Sequence, residues 1–216
     1  NDTLARIGTA CLQQLLVENI AHMDEVGWQQ VTDAFLRLFR ATTASQVFDP
    51  TLSSPESTVA PSERRQAFKQ IIVKCVLQLL LIETVNELLQ NAQVYEAVPI
   101  TQLLRLTAAL EDSYRFSRRF NADRELRTAL WKVGFMKQLP NLLKQESTSA
   151  STLVYVYLCM HGDVRPGVDA HRREVSDRFL PLAEEIITGY LPLDNETQAR
   201  NIAAWTPVVA QVVQGL

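Results

Sequence analysis

Glycine is scarce in this sequence, with seven residues among 216. A phosphate-binding loop needs closely spaced glycines, because its backbone must turn tightly and approach the ligand. None of the seven stands in such a pattern, and the local sequence suggests no Ser/His/Asp or Cys/His arrangement for nucleophilic catalysis. Strand-like alternation of polar and apolar residues is missing as well. We therefore predict no nucleotide-binding α/β fold, no catalytic residue and no cofactor.

Cysteine and histidine are rare too, with three of each. Cys11, Cys75 and Cys159 are far apart, each lies in an apolar helical stripe, and none has a second cysteine at the CxxC spacing. This pattern favours core thiols in a reducing compartment. The histidines do not have the spacing of metal ligands. The sequence thus predicts no metal site.

Long hydrophobic runs are also lacking. The most apolar segment, residues 71–82, has 12 residues and is interrupted by Lys74 and Gln78, whereas a membrane span needs about 20 apolar residues. It is typical of a buried helix in a soluble protein. The chain opens with NDTLARIG, which has no signal-peptide pattern, so we expect a piece of a longer cytoplasmic protein.

Helical periodicity, in contrast, runs through most of the chain. Apolar residues recur three and four positions apart, as in the first helix with its stripe Leu4, Ile7, Cys11, Leu15 and Leu16. Residues 1–44 are predicted to form a helical hairpin. Residues 45–62 contain three prolines and five serines, which is typical of a flexible linker. Residues 63–216 are predicted to be a helical array that packs with 1–44 as one domain.

An internal similarity refines this all-α prediction. Phe179, Pro181 and Ile186 recur 26 residues later as Trp205, Pro207 and Val212. An aromatic residue followed by a proline inside a helix suits curved arrays of antiparallel helix hairpins, because the proline bends the helix around its neighbour. We expect an α-solenoid of the HEAT or armadillo type. The alternative is two consecutive core helices without repeat character. Separately, the serines and threonines of 147–152 weaken the predicted helix there, so a break in that helix is an open alternative.

The densest positive charge lies in residues 115–144, which hold 8 Lys and Arg but 2 Asp and Glu in a chain of net charge −3. At 100° per residue, the first arginines of this stretch point away from the apolar face of their helix. We expect a basic surface that meets anionic lipid headgroups or the acidic face of a partner protein. The alternative is solvation or pairing with nearby acids. The candidate residues are Arg115, Arg118, Arg119, Arg124 and Arg127.

The same stretch contains a predicted helix–turn–helix unit. Asn121 or Asp123 can cap a short helix, and Gly134 can end it in the left-handed conformation. The candidate structural anchors are Trp131, Phe135 and Pro140. Trp131 is expected to pack over the turn formed by Phe135 and Met136, with a contact to a partner as the alternative. Pro140 suits the first position of the following helix.

The sequence words FNADRELRTALWKVGF and PNLLKQE, with IVKCVLQLLLIE and LARIGTACLQQLLVEN upstream, carry a resemblance. Over residues 4–146 the chain resembles the C-terminal region of the large Arf guanine-nucleotide exchange factors of the trans-Golgi Sec-seven/BIG class. In that family a separate domain performs nucleotide exchange, and no counterpart of it occurs in these 216 residues.

The resemblance therefore implies a non-catalytic regulatory and recruitment module, located in the cytoplasm and peripherally at the trans-Golgi membrane. Its implied partners are Arf- or Rab-type small GTPases, other domains of the parent protein, or an anionic membrane surface. A structural helical spacer without a partner is the alternative. Nucleic-acid binding is disfavoured, because the chain as a whole is acidic.

Overall fold

The computed structural model describes residues 2–191 and 195–215, and of Asp2 and residues 195–200 it describes the backbone alone. All regular secondary structure in this part of the chain is helical, which confirms the all-α prediction. The α-helices are α1 (Asp2–Asn19), α2 (Glu25–Thr42), α3 (Pro50–Ser53), α4 (Pro61–Gln90), α5 (Ala92–Ala97), α6 (Ile100–Ala122), α7 (Arg124–Lys132), α8 (Leu143–Gly162), α9 (Arg172–Tyr190) and α10 (Asn195–Gly215). Short 3-10 helices occupy Ile20–His22, Ser45–Phe48 and Asp169–His171.

Helix α8 is the central helix, since it packs against α4, α6, α9 and α10. Its side chains Leu153, Val154, Tyr157 and Met160 are fully buried in the main core. The helix runs without interruption through 147–152, so the break left open by the sequence does not occur. Thr152 Oγ1 donates to the carbonyl of Thr148 within the helix at 2.8 Å, and Ser151 Oγ donates to the Gln211 side chain of α10 at 3.0 Å.

Helix α1 lies at the edge of the array and contributes little to the core. Of its predicted stripe only Leu16 is buried, whereas Leu4, Ile7 and Leu15 are 55–69% exposed. Cys11 is exposed as well, so its prediction as a core thiol is wrong. The apolar spacing indicated a helix correctly, but no neighbouring helix in the described structure covers this face.

The other two cysteines are half-buried. Burial raises the pKa of the Cys75 thiol to about 11, because the thiolate loses hydration among apolar neighbours. Burial also raises the pKa of Cys159. Both therefore carry their proton at neutral pH, as partly buried structural thiols do.

The described side chains include no group of three His, Cys, Asp or Glu that could hold a metal ion. In the same ranges no helix is both long enough and apolar enough to cross a membrane.

The segment 45–62 differs from the flexible linker that its composition predicts. The 3-10 helix Ser45–Phe48 and helix α3 bury Val47 and Leu52 in a second, smaller core cluster under α7. The Phe48 ring packs edge-on against that of Phe116, with centroids 5.5 Å apart. Val47, Phe48 and Leu52 all pack in or against this cluster, so the first half of the segment packs on the domain despite a composition rich in serine and proline.

Helices α9 and α10 present equivalent positions to the main core. Phe179, Leu182 and Ile186 are buried on α9, and the corresponding residues of α10 in the 26-residue repeat, Trp205, Val208 and Val212, are buried as well. Pro181 and Pro207 both lie inside their helices. The two helices therefore use the same register to pack on α8.

Candidate interaction surface

The predicted basic surface is built around the corner between α6 and α7. Asp123 ends α6 and begins α7, and its Oδ1 accepts a hydrogen bond from the Leu126 N–H at 2.8 Å. This confirms the predicted cap at Asp123. A side-chain cap satisfies an N–H group that the first turn of a helix leaves without a partner. The corner is therefore a defined bend between two helices.

Arg118 does not point freely into solvent as predicted. Its Nε lies 2.9 Å from the Glu185 carboxylate on α9, and its Nη1 donates to the Tyr114 hydroxyl at 2.9 Å. The guanidinium also packs over Gly189, where an added Cβ would lie 3.5 Å from its nitrogen atoms. Arg118 thus connects α6 to α9 through Glu185. The sequence alone did not show that α9 lies next to this face of α6.

Arg119 and Arg127 also make intramolecular contacts. The Arg119 guanidinium lies 4.1 Å from the centroid of the Phe48 ring, a cation–π contact that holds the 45–53 segment. Arg127 donates from Nε to the Pro140 carbonyl and from Nη1 to the Asn121 carbonyl, each at 2.7 Å. Burial lowers the pKa of Arg127, with a smaller contribution from the charge of Arg124. Both arginines therefore hold segments of the corner in place.

Arg115, Arg119 and Arg124 are exposed, and of these Arg119 also contacts the Phe48 ring. The Arg115 side chain is 74% exposed and lies 4.0 Å from Glu111, a distance at which a surface ion pair contributes little. Arg124 is exposed at the start of α7. The three arginines of α6 that were expected to point to solvent together, Arg115, Arg118 and Arg119, have different surroundings, because residues at different angles around a helix meet different neighbours.

The turn after α7 has the predicted left-handed glycine. Gly134 has a φ of +84°, and the N–H of Phe135 donates to the Leu130 carbonyl at 2.9 Å, which closes the helix end. Phe135 is buried, with its ring centroid 4.9 Å from that of Phe68. Trp131, in contrast, is 47% exposed, so it does not have the burial expected of an anchor. The buried residue beside it is Leu130.

Pro140 is not the first residue of the next helix, since α8 begins at Leu143. The Leu142 N–H donates to the Asn121 side chain at 2.7 Å, and the Leu143 N–H donates to the Asn141 side chain at 3.1 Å. Pro140 itself is buried, with its carbonyl held by Arg127. These tertiary hydrogen bonds keep 140–142 out of the helix and shift its start.

A cleft of about 670 Å³ lies beside this corner, between the end of α6, the start of α8, and helices α9 and α10. Arg118, Arg127 and Glu146 supply its charges, and Leu139 and Trp205 are among its apolar walls. Glu146 is 8% exposed and accepts a hydrogen bond from the Asn121 side chain at 2.5 Å. Burial raises the pKa of Glu146, although Asn121 and the charge of Arg118 oppose this effect. The cleft therefore combines two arginines with a carboxylate that is costly to ionise.

Replacing Glu146 by glutamine is expected to raise the melting temperature at neutral pH. The pKa of Glu146 is raised in the folded state, so the favourable contribution of this side chain to stability is fully present at a pH below its ordinary pKa of 4.5. That contribution is lost as the pH rises through the pKa of the folded state. Glutamine carries no charge and still accepts the hydrogen bond from Asn121. The gain should disappear in acid, which thermal melts across a pH series will show.

Glu184→Gln on α9 is the matched control, because Glu184 is exposed. It should leave the pH profile of the melting temperature unchanged. A lower melting temperature for Glu146→Gln at neutral pH would mean that the contacts of the carboxylate outweigh the cost of its burial.

Sequence reasoning missed Arg165, whose side chain makes several polar contacts with residues of two different segments. Its guanidinium pairs with Asp163 at 2.7 Å and donates to the carbonyls of Glu96 and Val98 at 2.6 and 3.1 Å. It also lies 5.1 Å from the centroid of the Tyr95 ring. Arg165 thus caps the end of α5 from a loop almost 70 residues away. No local sequence signal identifies it, because its partners other than Asp163 are distant in the chain.

Comparison with known proteins shows to which family the sequence is similar. Residues 76–216 match the family model described as the BIG2 C-terminal domain. No solved structure matches the chain.

Three curated relatives illustrate the similarity along the whole chain. The ADP-ribosylation factor guanine nucleotide-exchange factor sec72 of Schizosaccharomyces pombe is 36% identical, with 100% of this chain and 14% of the relative covered. The exchange factor SEC7 of Saccharomyces cerevisiae is 28% identical, with 96% and 15% covered. Brefeldin A-inhibited guanine nucleotide-exchange protein 1 of Homo sapiens is 25% identical, with 95% and 16% covered.

The chain thus spans about one seventh of the length of these relatives. The family match covers well over half of the chain, and the relatives align along nearly all of it. This chain belongs to the BIG2 C-terminal domain family, the helical C-terminal region of the Sec7/BIG class of Arf guanine-nucleotide exchange factors.

Proposed function

We propose that this chain is a non-catalytic regulatory and recruitment module of a large Arf exchange factor that acts in vesicle traffic at the trans-Golgi network. The observation that carries the proposal is the alignment of nearly the whole chain with proteins named as ADP-ribosylation factor exchange factors, of which it spans 14–15%. The work of the module is to bind an Arf- or Rab-type GTPase, or another domain of the exchange factor.

The proposed architecture for this role is a HEAT-type array of antiparallel helix hairpins. The shared register of α9 and α10 supports it, since both helices have an internal proline and bury the same positions of a 26-residue repeat against α8. Arrays of this kind present long surfaces to partners. The exposed arginines Arg115 and Arg124 at the α6–α7 corner are the proposed contact with acidic residues of the GTPase.

Binding of the purified chain to an Arf-type GTPase, loaded with GTP or with GDP, tests the proposal. We expect binding to one nucleotide state in preference to the other, measured by calorimetry. We also expect that the chain alone does not accelerate nucleotide release. The double variant Arg115→Glu, Arg124→Glu should weaken the affinity at low salt by about tenfold or more, because like charges then face the acidic partner.

The matched control is Arg37→Glu, Arg173→Glu, which makes the same change of charge at exposed positions on α2 and α9. It should bind as the wild type does. The absence of binding to either nucleotide state would favour the structural spacer. Exchange activity of the chain alone would contradict a non-catalytic role.

A further inference from the structure

The turn after α7 exposes three large hydrophobic side chains within nine residues. Trp131, Met136 and Leu139 are 47, 45 and 40% exposed. Lys132 and Lys137 lie between them in sequence and are exposed as well. We call these five residues the turn surface.

The exposure of these side chains is a property of an ordered turn. Gly134 in the left-handed conformation closes α7, and buried Phe135 packs on Phe68, which fixes the direction of the backbone. The Trp131 indole N–H donates to the Lys137 carbonyl at 3.4 Å. Phe135 therefore points inward, while Trp131, Met136 and Leu139 remain exposed.

The backbone of the turn has open space around it at Gly134. A Cβ added at Gly134 would meet no other atom within 4 Å. A turn that exposes large apolar side chains suits insertion into a soft surface better than it suits enclosure of a partner helix, which requires a groove. Leu139 continues the turn surface toward the cleft described above.

Charge distinguishes this turn from the rest of an acidic chain. From Leu126 to Gln145 the sequence contains no Asp or Glu, but it contains Arg127, Lys132, Lys137 and Lys144. Lys144 pairs with Glu83 at 2.7 Å, whereas no ion pair of Lys132 or Lys137 occurs in the described part of the structure. The two turn lysines therefore favour an anionic surface next to the exposed apolar side chains.

We propose that the turn surface inserts into the headgroup region of an anionic lipid bilayer. Tryptophan prefers this interface, because its ring is apolar and its N–H is polar. Met136 and Leu139 would reach the acyl chains, and the lysines would pair with anionic headgroups. The proposal deepens the recruitment role proposed above by adding a lipid surface as partner. Lipid binding by the turn surface needs no GTPase, so the lipid proposal and the proposed GTPase binding can fail independently of each other.

Tryptophan fluorescence offers a direct readout. The chain has three tryptophans, of which Trp28 and Trp205 are 4% and 8% exposed in the core. A change in emission on adding vesicles therefore reports Trp131. With vesicles of phosphatidylcholine and phosphatidylserine we expect a blue shift, protection from acrylamide and quenching by brominated acyl chains. Vesicles of phosphatidylcholine alone should bind weakly, and added salt should weaken binding to the mixed vesicles.

Variants test the two halves of the surface in a vesicle sedimentation assay. Lys132→Glu with Lys137→Glu should weaken binding roughly 25-fold or more at low salt, since two attractive charges become repulsive. Trp131→Ser with Met136→Ser should weaken it by about tenfold or more. Trp131→Phe should keep binding but lose the fluorescence change. Circular dichroism checks that each variant is folded.

Matched controls use exposed residues elsewhere. Val164→Ser with Leu180→Ser removes two side chains that are 89 and 55% exposed, and Arg37→Glu with Arg173→Glu repeats the change of charge. Both control variants should lose much less affinity for the mixed vesicles than the turn variants do. No binding of the wild type to mixed vesicles, binding without a change in Trp131 emission, or equal losses in turn and control variants would overturn the proposal.

Discussion

Replacing Arg165 by methionine is expected to lower the free energy of unfolding by about 3–5 kcal/mol. Methionine keeps much of the side-chain volume but removes the charge and all donors. The Asp163 side chain, 5% exposed, then has no cationic partner, and the carbonyls at the end of α5 lose their cap. The Tyr95 hydroxyl and the backbone N–H of residue 165 still donate to the Asp163 carboxylate, but its negative charge is no longer neutralised, which costs more than a lost surface contact. Urea denaturation will measure the change.

The destabilisation should depend on pH. Burial by itself raises the pKa of Asp163, but the hydrogen bonds and charge of Arg165 outweigh it and hold the pKa below its ordinary value of 3.8. A lowered pKa adds stability that is present above the ordinary value and is lost as the pH falls through the folded pKa. The difference between wild type and Arg165→Met should therefore shrink in acid.

Two further variants separate the ion pair from packing. Adding Asp163→Asn to Arg165→Met should recover part of the loss, because no unpaired charge remains. Arg173→Met, at a side chain that is 94% exposed, should change stability by about 0.5 kcal/mol or less. An Arg165→Met protein as stable as the Arg173→Met protein would contradict the role of Arg165 as a cap.

The second large effect is expected at Leu130. Leu130→Ala should cost about 2–5 kcal/mol, because its side chain is fully buried in the second core cluster and its loss leaves a cavity beside Phe135 and Phe68. Thermal or urea denaturation will show this loss.

Trp131→Ala is the neighbouring comparison and should cost roughly 1 kcal/mol, since about half of the indole is already in solvent. The ranking reverses the expectation from sequence, which placed the anchor at Trp131. A larger loss of stability at Trp131 than at Leu130 would show that the tryptophan is the anchor after all.

Local chemistry determined much of the fold before any contact was known. The three- and four-residue apolar spacing predicted the helices, since one buried face requires it. Asp123 caps α7 with its carboxylate, as predicted. Gly134 ends the helix in the left-handed conformation, which its missing side chain allows. Family membership was also accessible, because words such as FNADRELRTALWKVGF carry it along the chain. These are properties of short stretches and of their order.

The environment of each side chain, in contrast, was decided by helices that are distant in sequence. Arg118 turns inward because Glu185 of α9 reaches it, and the 45–53 segment is packed because Phe116 and Phe120 of α6 receive Phe48. The stripe of α1 stays largely exposed because the described structure brings no helix over it. A hydrophobic period tells which residues share a face. Only the approach of another element decides whether that face meets protein or water, and therefore which charged and aromatic groups remain available to a partner.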